Sequence, residues 1–531
     1  MGLAARRMTT PRSGRGALHA AQLSLSTSPS QQHGVAIGIA IVAVAARVFV
    51  SWRTHSTGED ALITLRYAQN YASGRGFVYN PGEHVMGVTT PLYCLLLSLF
   101  QSLHLHALAC GKAINIAADG LTCYLLARLM ARPEIGRPVE GLFAAAIYAL
   151  TSTPISVSIG GMETGIVTCV GFAMIYAYIA KREMWLYGLG AVLFLLRIDG
   201  LLLFMFLTVA LAIRERKPAP RAGALFLILV IPWLIYATAQ FGSPVPTSLV
   251  AKITVYSHPS FAPQHARFTP TNVEAFKAQF LTGWPQRVVT ALFAIGAVML
   301  FCLAVARESR GVLLAPVLWC LLYFAVMLTS RVPAFPWYFL PPWPVVVMVA
   351  CLAGAAGVER FAKLYPEPTN SLGPRVLPAV LGGMLLLGLL HLRGVSAEVA
   401  EAQRVEDTLR MPVGLWLRDH VAEGERVMLE PIGYIGYYSR CRVLDTIGLV
   451  SPEVLSSYKK EGDPRADIIR RLKPEWLCLR KAESASLAET YRLTGVDPLA
   501  DYAISDRFQT PGAEPFIVYR LKLISPLRRI D

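Results

Sequence analysis

Two adjacent acids carry the first chemistry in this chain. Glu59 and Asp60 follow Ser56 and Thr57 and open a helical pattern in which Ala61, Leu65, Ala68 and Ala72 share one face. Gly74 and Gly76 end that helix, and Asn80-Pro81-Gly82 makes a turn. The acids have two readings. Ser56-x-x-Glu59 and Thr57-x-x-Asp60 match helix N-caps, where the dipole favours carboxylates. A carboxylate near a bilayer surface also orients or deprotonates a hydroxyl. Other ionisable residues recur at the ends of apolar blocks: Glu163 after Gly160-Gly161, Arg197 with Asp199, Lys252 closing FGSPVPTSLVAK (241–252), and Arg331 before PWYFLPPWP (336–344). Such residues are costly beside a membrane unless paired, which makes them functional candidates. Acids that take a proton, together with cations that hold a phosphate, suit glycosyl transfer from a lipid phosphate. No glycine loop with a phosphate-binding lysine offers a nucleotide site.

The elements that must position these residues are membrane helices. The chain has 531 residues, 54% hydrophobic and 16% charged. Soluble proteins carry about 25% charged residues, so an ordinary soluble enzyme, a disordered chain and a disulfide scaffold are excluded. Apolar blocks of spanning length predict about 11–12 membrane helices between residues 34 and 392, then a soluble C-terminal domain. The net charge of +15 sits in short clusters between blocks, so topology explains it and a nucleic-acid partner is not expected.

Charge placement predicts sidedness. Residues 1–33 form a basic cytoplasmic tail, with a retained first helix at 34–52 rather than a cleaved signal. Arg128/Arg132/Arg137, Lys181/Arg182, Arg214/Arg216/Lys217/Arg221, Arg307/Arg310 and Arg360/Lys363/Arg375 are expected in the cytoplasm, with single spans between them at 140–158, 163–180, 184–197, 199–213, 222–241, 286–306, 311–330, 337–356 and 376–392. The first loop (53–89), the loop 242–285 and the domain 394–531 then face the periplasm of a bacterial inner membrane. The parity favours block 90–107 not crossing; the alternative is a true crossing with an exception to the charge rule at 128–137.

The string GEDALITLRYAQNYASGRGFVYNPGEHVMGVTTPLY (58–93) resembles the first-loop signature of bacterial GT-C glycosyltransferases that use polyprenyl-phosphate sugars. It is similar to that of mycobacterial terminal arabinofuranosyltransferases and their Gram-negative relatives. GGMETG (160–165), LLRIDGLL (195–202), FGSPVPTSLVAK and WYFLPPWP (337–344) resemble further elements of that family, in order. The resemblance implies a GT-C-like fold and a polytopic enzyme. It would move a sugar, a pentofuranose being one candidate, from a polyprenyl-phosphate donor to a cell-envelope glycan or lipid acceptor. It implies Asp60 and Glu59 as catalytic acids. Arg66, Tyr67, Asn80, Glu83, Glu163, Arg197, Asp199, Lys252, Arg331 and Tyr338 would contact the donor. Glu59 stands where the family has Asp, which favours Asp60 as the catalytic carboxylate. His84, Met86, Val88 and Thr90 replace Arg, Glu, Tyr and Asn, and Trp337 replaces an Arg for which Arg331 is the stand-in.

Three readings stay open at this level. A divalent metal is an option, held by Glu59 and Asp60 with Glu163 or His84; no cofactor is certain. A transporter or flippase of lipid-linked sugars is the alternative function, although internal repeats are missing. Cys441 and Cys478 are the two cysteines able to pair outside the membrane part. Residues 394–531 read as a small α/β domain in which Glu430 and Asp445 end strands, and GYIGYY (433–438) lacks the following glycines of a dinucleotide site.

Overall fold

A computed structural model describes residues 28–216, 219–261, 272–274, 276–277, 284–305, 309–364 and 373–522. The membrane part is helical. In chain order its helices are α1 (Pro29–Thr54), α2 (Glu59–Ala72), α3 (Pro91–Ser102), α4 (Ala107–Met130), α5 (Pro138–Leu150), α6 (Ser152–Ile159), α7 (Thr164–Ile179), α8 (Glu183–Leu196), α9 (Gly200–Glu215), α10 (Pro220–Phe241), α11 (Thr247–Tyr256), α12 (Trp284–Val305), α13 (Leu314–Thr329), α14 (Trp343–Leu364) and α15 (Gly373–Val405). Of residues 1–33, only those from Ser28 on are described. Ser28 and Gln31 form a capping box that starts α1 five residues before the apolar block.

Small residues let α1, α4 and α5 approach closely. Ala43, Ala46, Ala127, Ala144, Ala145 and Ala149 are buried. A Cβ on Gly120 of α4 would meet Val44 Cγ2 at 2.6 Å, and one on Gly141 of α5 would meet the Ala127 carbonyl oxygen at 3.0 Å. Without a hydrophobic drive between helices in lipid, such contacts supply van der Waals packing.

The helices are shorter than the apolar blocks implied. Among the described residues, five helices are long and apolar enough to cross a membrane, or six if the bent pair α5–α6 counts as one. The expected span 140–158 is that pair, bent by 55° at Thr151, whose backbone is extended. Helices α7, α8 and α9 have 16, 14 and 16 residues. At 1.5 Å per residue they rise ~21–24 Å against a hydrocarbon core of ~30 Å. The motifs Gly160–Glu163 and Arg197–Asp199 interrupt helix where they are buried or half-buried in protein, the setting in which irregular backbone is tolerated at membrane depth. Block 90–107 becomes α3, 12 residues long, which at ~18 Å does not reach across a bilayer alone.

The C-terminal domain grows from α15, a 33-residue helix that continues through a π-helical turn (Glu406–Arg410) into α16 (Met411–His420). Block 376–392 and the polar helix expected near 397–421 are therefore one nearly continuous rod. Then follow β1 (Arg426–Leu429), α17 (Tyr434–Ser439), β2 (Arg442–Asp445), α18 (Pro464–Leu472), β3 (Trp476–Arg480), α19 (Lys481–Thr494), β4 (Tyr502–Phe508) and β5 (Phe516–Leu521). The sheet order is β2-β1-β3-β5-β4. Strands β1, β2 and β3 are parallel, in registers such as Val427 with Val443 and Trp476, and β5 and β4 add antiparallel. The fold class expected from sequence, a polytopic helical protein with a C-terminal α/β domain, is the one observed. Cys441 and Cys478 are both free thiols; Cys478 is buried in β3.

Candidate active site

The two first-loop acids sit side by side at the start of α2 and diverge. The N-cap is Gly58, with extended backbone and no side-chain cap, so neither Ser56 nor Thr57 caps the helix. Other groups hold the segment instead. Lys112 of α4 donates to the Ser56 carbonyl at 2.6 Å and to Thr57 Oγ1 at 3.1 Å. The Gly58 N–H donates to the Gly160 carbonyl at 2.7 Å. The Thr57 N–H donates to Gln403 Oε1 at 2.8 Å.

Glu59 turns toward the C-terminal domain. Its Oε1 accepts the N–H groups of Gly433 at 2.5 Å and Tyr434 at 3.1 Å, at the start of α17. Its Oε2 meets Arg410 at 3.6 Å. Burial, with Glu406 and Asp60 nearby and despite Arg410, pushes its carboxyl up to about 8. The structure thus places the Glu59 carboxyl against the C-terminal domain, apart from the groups that Asp60 faces.

Asp60 faces the membrane part. Its carboxylate has no hydrogen-bond partner among the described residues, and burial raises its pKa while Lys252 opposes that rise. Lys252, on α11, donates to Tyr338 Oη at 3.4 Å. The Tyr338 ring lies under the Arg197 guanidinium, 5.2 Å from Cζ to centroid. Arg197 is 4% exposed. It grips Asp199 with two bonds, Nε to Oδ1 at 3.0 Å and Nη2 to Oδ2 at 2.8 Å. Its Nη1 stands 3.9 Å from Glu163 Oε1 and is buried without a hydrogen bond. Tyr323 donates to Asp199 Oδ2 at 3.1 Å. Glu163 in turn feels the charge of Asp60. The expected residues Asp60, Glu163, Arg197, Asp199, Lys252 and Tyr338 therefore form one network, drawn from α2, the Gly160 turn, the α8–α9 break, α11 and the 3₁₀ turn Pro336–Phe339.

The other expected donor contacts do not join it. Arg66 is 6% exposed; it donates to the Tyr79, Gly436 and Cys441 carbonyls and stacks on Tyr79. Asn80 bonds the Val443 backbone in both directions, at 2.8 and 3.0 Å. Glu83 pairs with Arg442 at 2.7 Å. Tyr67 donates to the Val85 carbonyl and accepts the Gly87 N–H, ordering the loop. These four fold the first loop and seat it against β2 and α17. Arg331 is exposed, and no contact joins it to the network among the described residues. The four-residue metal option does not converge either, because Glu59 is committed to α17 and His84 bonds Gln240. Among the described residues no group of three or more His, Cys, Asp or Glu side chains is placed to hold an ion.

Helix α11 bridges the two parts. The Thr247 N–H donates to the Met86 carbonyl of the first loop at 2.9 Å. At its other end Val255 is buried with Met428, Leu444 and Tyr458 of the C-terminal domain. His258 Nε2 then donates to the Lys460 carbonyl at 3.1 Å. Sequence reasoning missed Lys112, Tyr323, Gln403 and Arg410. Tyr323 lies in a plain apolar block with no local signal, and the others act through backbone or docking contacts that only the assembled fold creates.

Comparison with known proteins agrees with this architecture. Residues 397–519 match a family described as a domain of unknown function, DUF8728. A terminal β-(1→2)-arabinofuranosyltransferase of Mycobacterium tuberculosis (strain ATCC 25618 / H37Rv) is 27% identical over 244 residues, which is 41% of this chain and 38% of that protein. The chain thus matches little more than a third of that relative's length. ArnT from Cupriavidus metallidurans bound to undecaprenyl phosphate aligns with a TM-score of 0.56 at 11% identity, covering 92% of this chain and 98% of that one. Its apo state aligns at 0.52 with 12% identity, over 92% and 97%. The chain has the fold of the ArnT structures, a GT-C fold, and over those 244 residues it is similar in sequence to the mycobacterial arabinofuranosyltransferase.

Proposed function

We propose that this chain is a membrane glycosyltransferase that takes a sugar from a polyprenyl-phosphate donor and attaches it to a cell-envelope glycan or lipid. The observation that carries the reading is the network from Asp60 through Lys252 and Tyr338 to Arg197. A carboxylate with no hydrogen-bond partner among the described residues lies across from a lysine, with a buried guanidinium behind it. In the reaction the acceptor oxygen attacks the anomeric carbon, the bond from that carbon to the phosphate oxygen breaks, and Asp60 takes the hydroxyl proton. Lys252 and Arg197 receive the charge that builds on the departing polyprenyl phosphate. The Nη1 of Arg197 is the donor aimed at that site without a hydrogen bond of its own.

Two relatives support the choice of donor and sugar. One is an ArnT solved with undecaprenyl phosphate, and the other transfers an arabinofuranose by its name. On this reading the donor sugar is a pentofuranose. The basic clusters Arg128/Arg132/Arg137 and Lys181/Arg182 at the opposite helix ends support a cytoplasmic position for those ends, and on this reading the network and the C-terminal domain face the periplasm. Purified protein in detergent, given polyprenyl-phosphate-linked labelled pentofuranose and an envelope glycan extract, is expected to transfer label. Failure to transfer from any polyprenyl-phosphate sugar, with the lipid instead moved across vesicles, would replace this reading with a flippase.

A further inference from the structure

At the far end of α9 from the ion network lies a second site. Asp199 stands just before the start of this helix and Arg214 sits in its last turn, about 22 Å away at 1.5 Å per residue. Between α9 and α13 runs a cavity of ≈ 700 Å³, lined by Leu202, Val209, Ile213 and Leu318 and closed at one end by Tyr178 and Arg214. Val209 and Ile213 are exposed on its open side. The lining is apolar along its length and cationic at this end.

The charge there is in excess. Glu215 is shared by Lys181 at 2.7 Å and Arg214 at 3.4 Å. Arg182 and Arg216, next to these in the chain, add two exposed cations; Glu183 adds one acid, and Glu134, which also faces Arg214, is paired with Arg132 at 2.8 Å. Arg214 stands 5.7 Å over the Tyr178 ring, which turns the guanidinium toward the cavity end. Its Nη1 is buried without a hydrogen-bond partner among the described residues. A basic pocket between membrane helices is where an anionic lipid headgroup is held. A lipid chain, in turn, matches a long lateral groove with no polar lining.

We propose that the α9–α13 groove binds one anionic phospholipid, its acyl chain along Leu202, Val209 and Ile213 and its phosphate at Arg214. The site stands whether or not the glycosyltransferase reading holds, because it rests on different residues at the opposite membrane face. Its occupant is distinct from the proposed donor, whose phosphate would lie at Lys252 and Arg197.

The test uses the full chain in detergent, with phosphatidylglycerol or phosphatidylcholine of matched acyl chains as probes. Retained lipid is read by native mass spectrometry and thermal melting. Phosphatidylglycerol is expected to be retained about fivefold over phosphatidylcholine, the factor one basic residue contributes beside an anionic headgroup. Arg214→Gln should erase that preference while leaving the lipid-free melt unchanged. Val209→Trp, which fills the groove, should lower retention of both lipids. Equal retention of the two lipids by the wild type would overturn the proposal. So would a preference that survives Arg214→Gln, or retention untouched by Val209→Trp.

Discussion

Among the described residues, two of the ionic clusters in the helical part centre on a buried arginine, and they are built in opposite ways. One is the network around Arg197. The other joins Arg47 of α1 to Asp119 of α4, Nε to Oδ2 at 2.7 Å, with both side chains fully buried. Tyr148 donates to Asp119 Oδ1 at 2.9 Å. Arg47 also donates to the carbonyls of Ala43 at 3.0 Å and Ala149 at 2.9 Å. Ala149 is in the last turn of α5, just before the break at Thr151, so the guanidinium satisfies a carbonyl that the interrupted helix leaves open. Each cluster has one guanidinium nitrogen without a hydrogen bond, Nη2 of Arg47 and Nη1 of Arg197, so that feature does not separate them. Spacing and origin do. The Arg47 pair is short and held by helix interiors. Around Arg197 the Asp199 grip and the Tyr323 bond to it are short, but Glu163 stands at 3.9 Å, Lys252 meets Tyr338 at 3.4 Å, and most of the parts come from turns and helix ends. A closed cluster locks helices together, whereas the looser one is where the proposed chemistry would sit.

The comparison can be broken by mutation, and the largest effect should fall on the closed cluster. Asp119→Ala leaves Arg47 charged and uncompensated, and removing one partner of a buried pair costs about 3–5 kcal/mol. Thermal melting in detergent should show that loss, with transfer per folded molecule retained. A wild-type melt would show that the pair does not lock α1 to α4.

In the open cluster the signature reverses. Asp60→Asn should leave the melt in place, since no cap or hydrogen bond is lost, and lower transfer by ~10²-fold or more because an amide cannot take the proton. Undiminished transfer would remove Asp60 from the chemistry. Next in size, Lys252→Met and Arg197→Met should each cost ~1.5–3 kcal/mol, the value of a charge-assisted hydrogen bond. Donor kinetics report it, and wild-type kinetics in both would move the phosphate elsewhere.

The smallest effect is a pH dependence at the domain junction. The Glu59 pKa is raised from 4.5 to about 8, chiefly by burial. The folded state therefore keeps a proton that the unfolded chain releases. Stability from this group is full below about pH 4.5 and declines as pH rises toward 8. A fifth of the side chain remains exposed, which limits the size. Glu59→Gln keeps an acceptor for Gly433 and Tyr434 without the titration. Melting curves from pH 5 to 8 should be flatter for this variant than for the wild type; parallel curves would rule out Glu59 as the source.

Much of this was legible in the chain. The apolar blocks, the soluble C-terminal domain and the ionisable residues stranded at helix ends are local features, and they pointed to Asp60, Glu163, Arg197, Asp199, Lys252 and Tyr338. The first-loop motif was legible as a motif, but its role was not. Arg66, Asn80 and Glu83 resemble site residues and serve as the socket for β2 and α17, because their partners lie some 360 residues away in the chain. Arg47 and Asp119 were visible as lone charges in apolar blocks, yet nothing local says that they meet.

Composition and hydropathy determined by themselves that the chain enters a membrane and that its apolar segments are helical, because burying backbone in lipid leaves few alternatives to helix. Only the tertiary structure decided which of two neighbouring acids faces Lys252 and the Arg197 network. Glu59 and Asp60 differ by about 100° around α2. One direction leads to the N–H groups of Gly433 and Tyr434, the other to Lys252. The choice depends on what the fold packs on each side, which spacing along the chain does not contain.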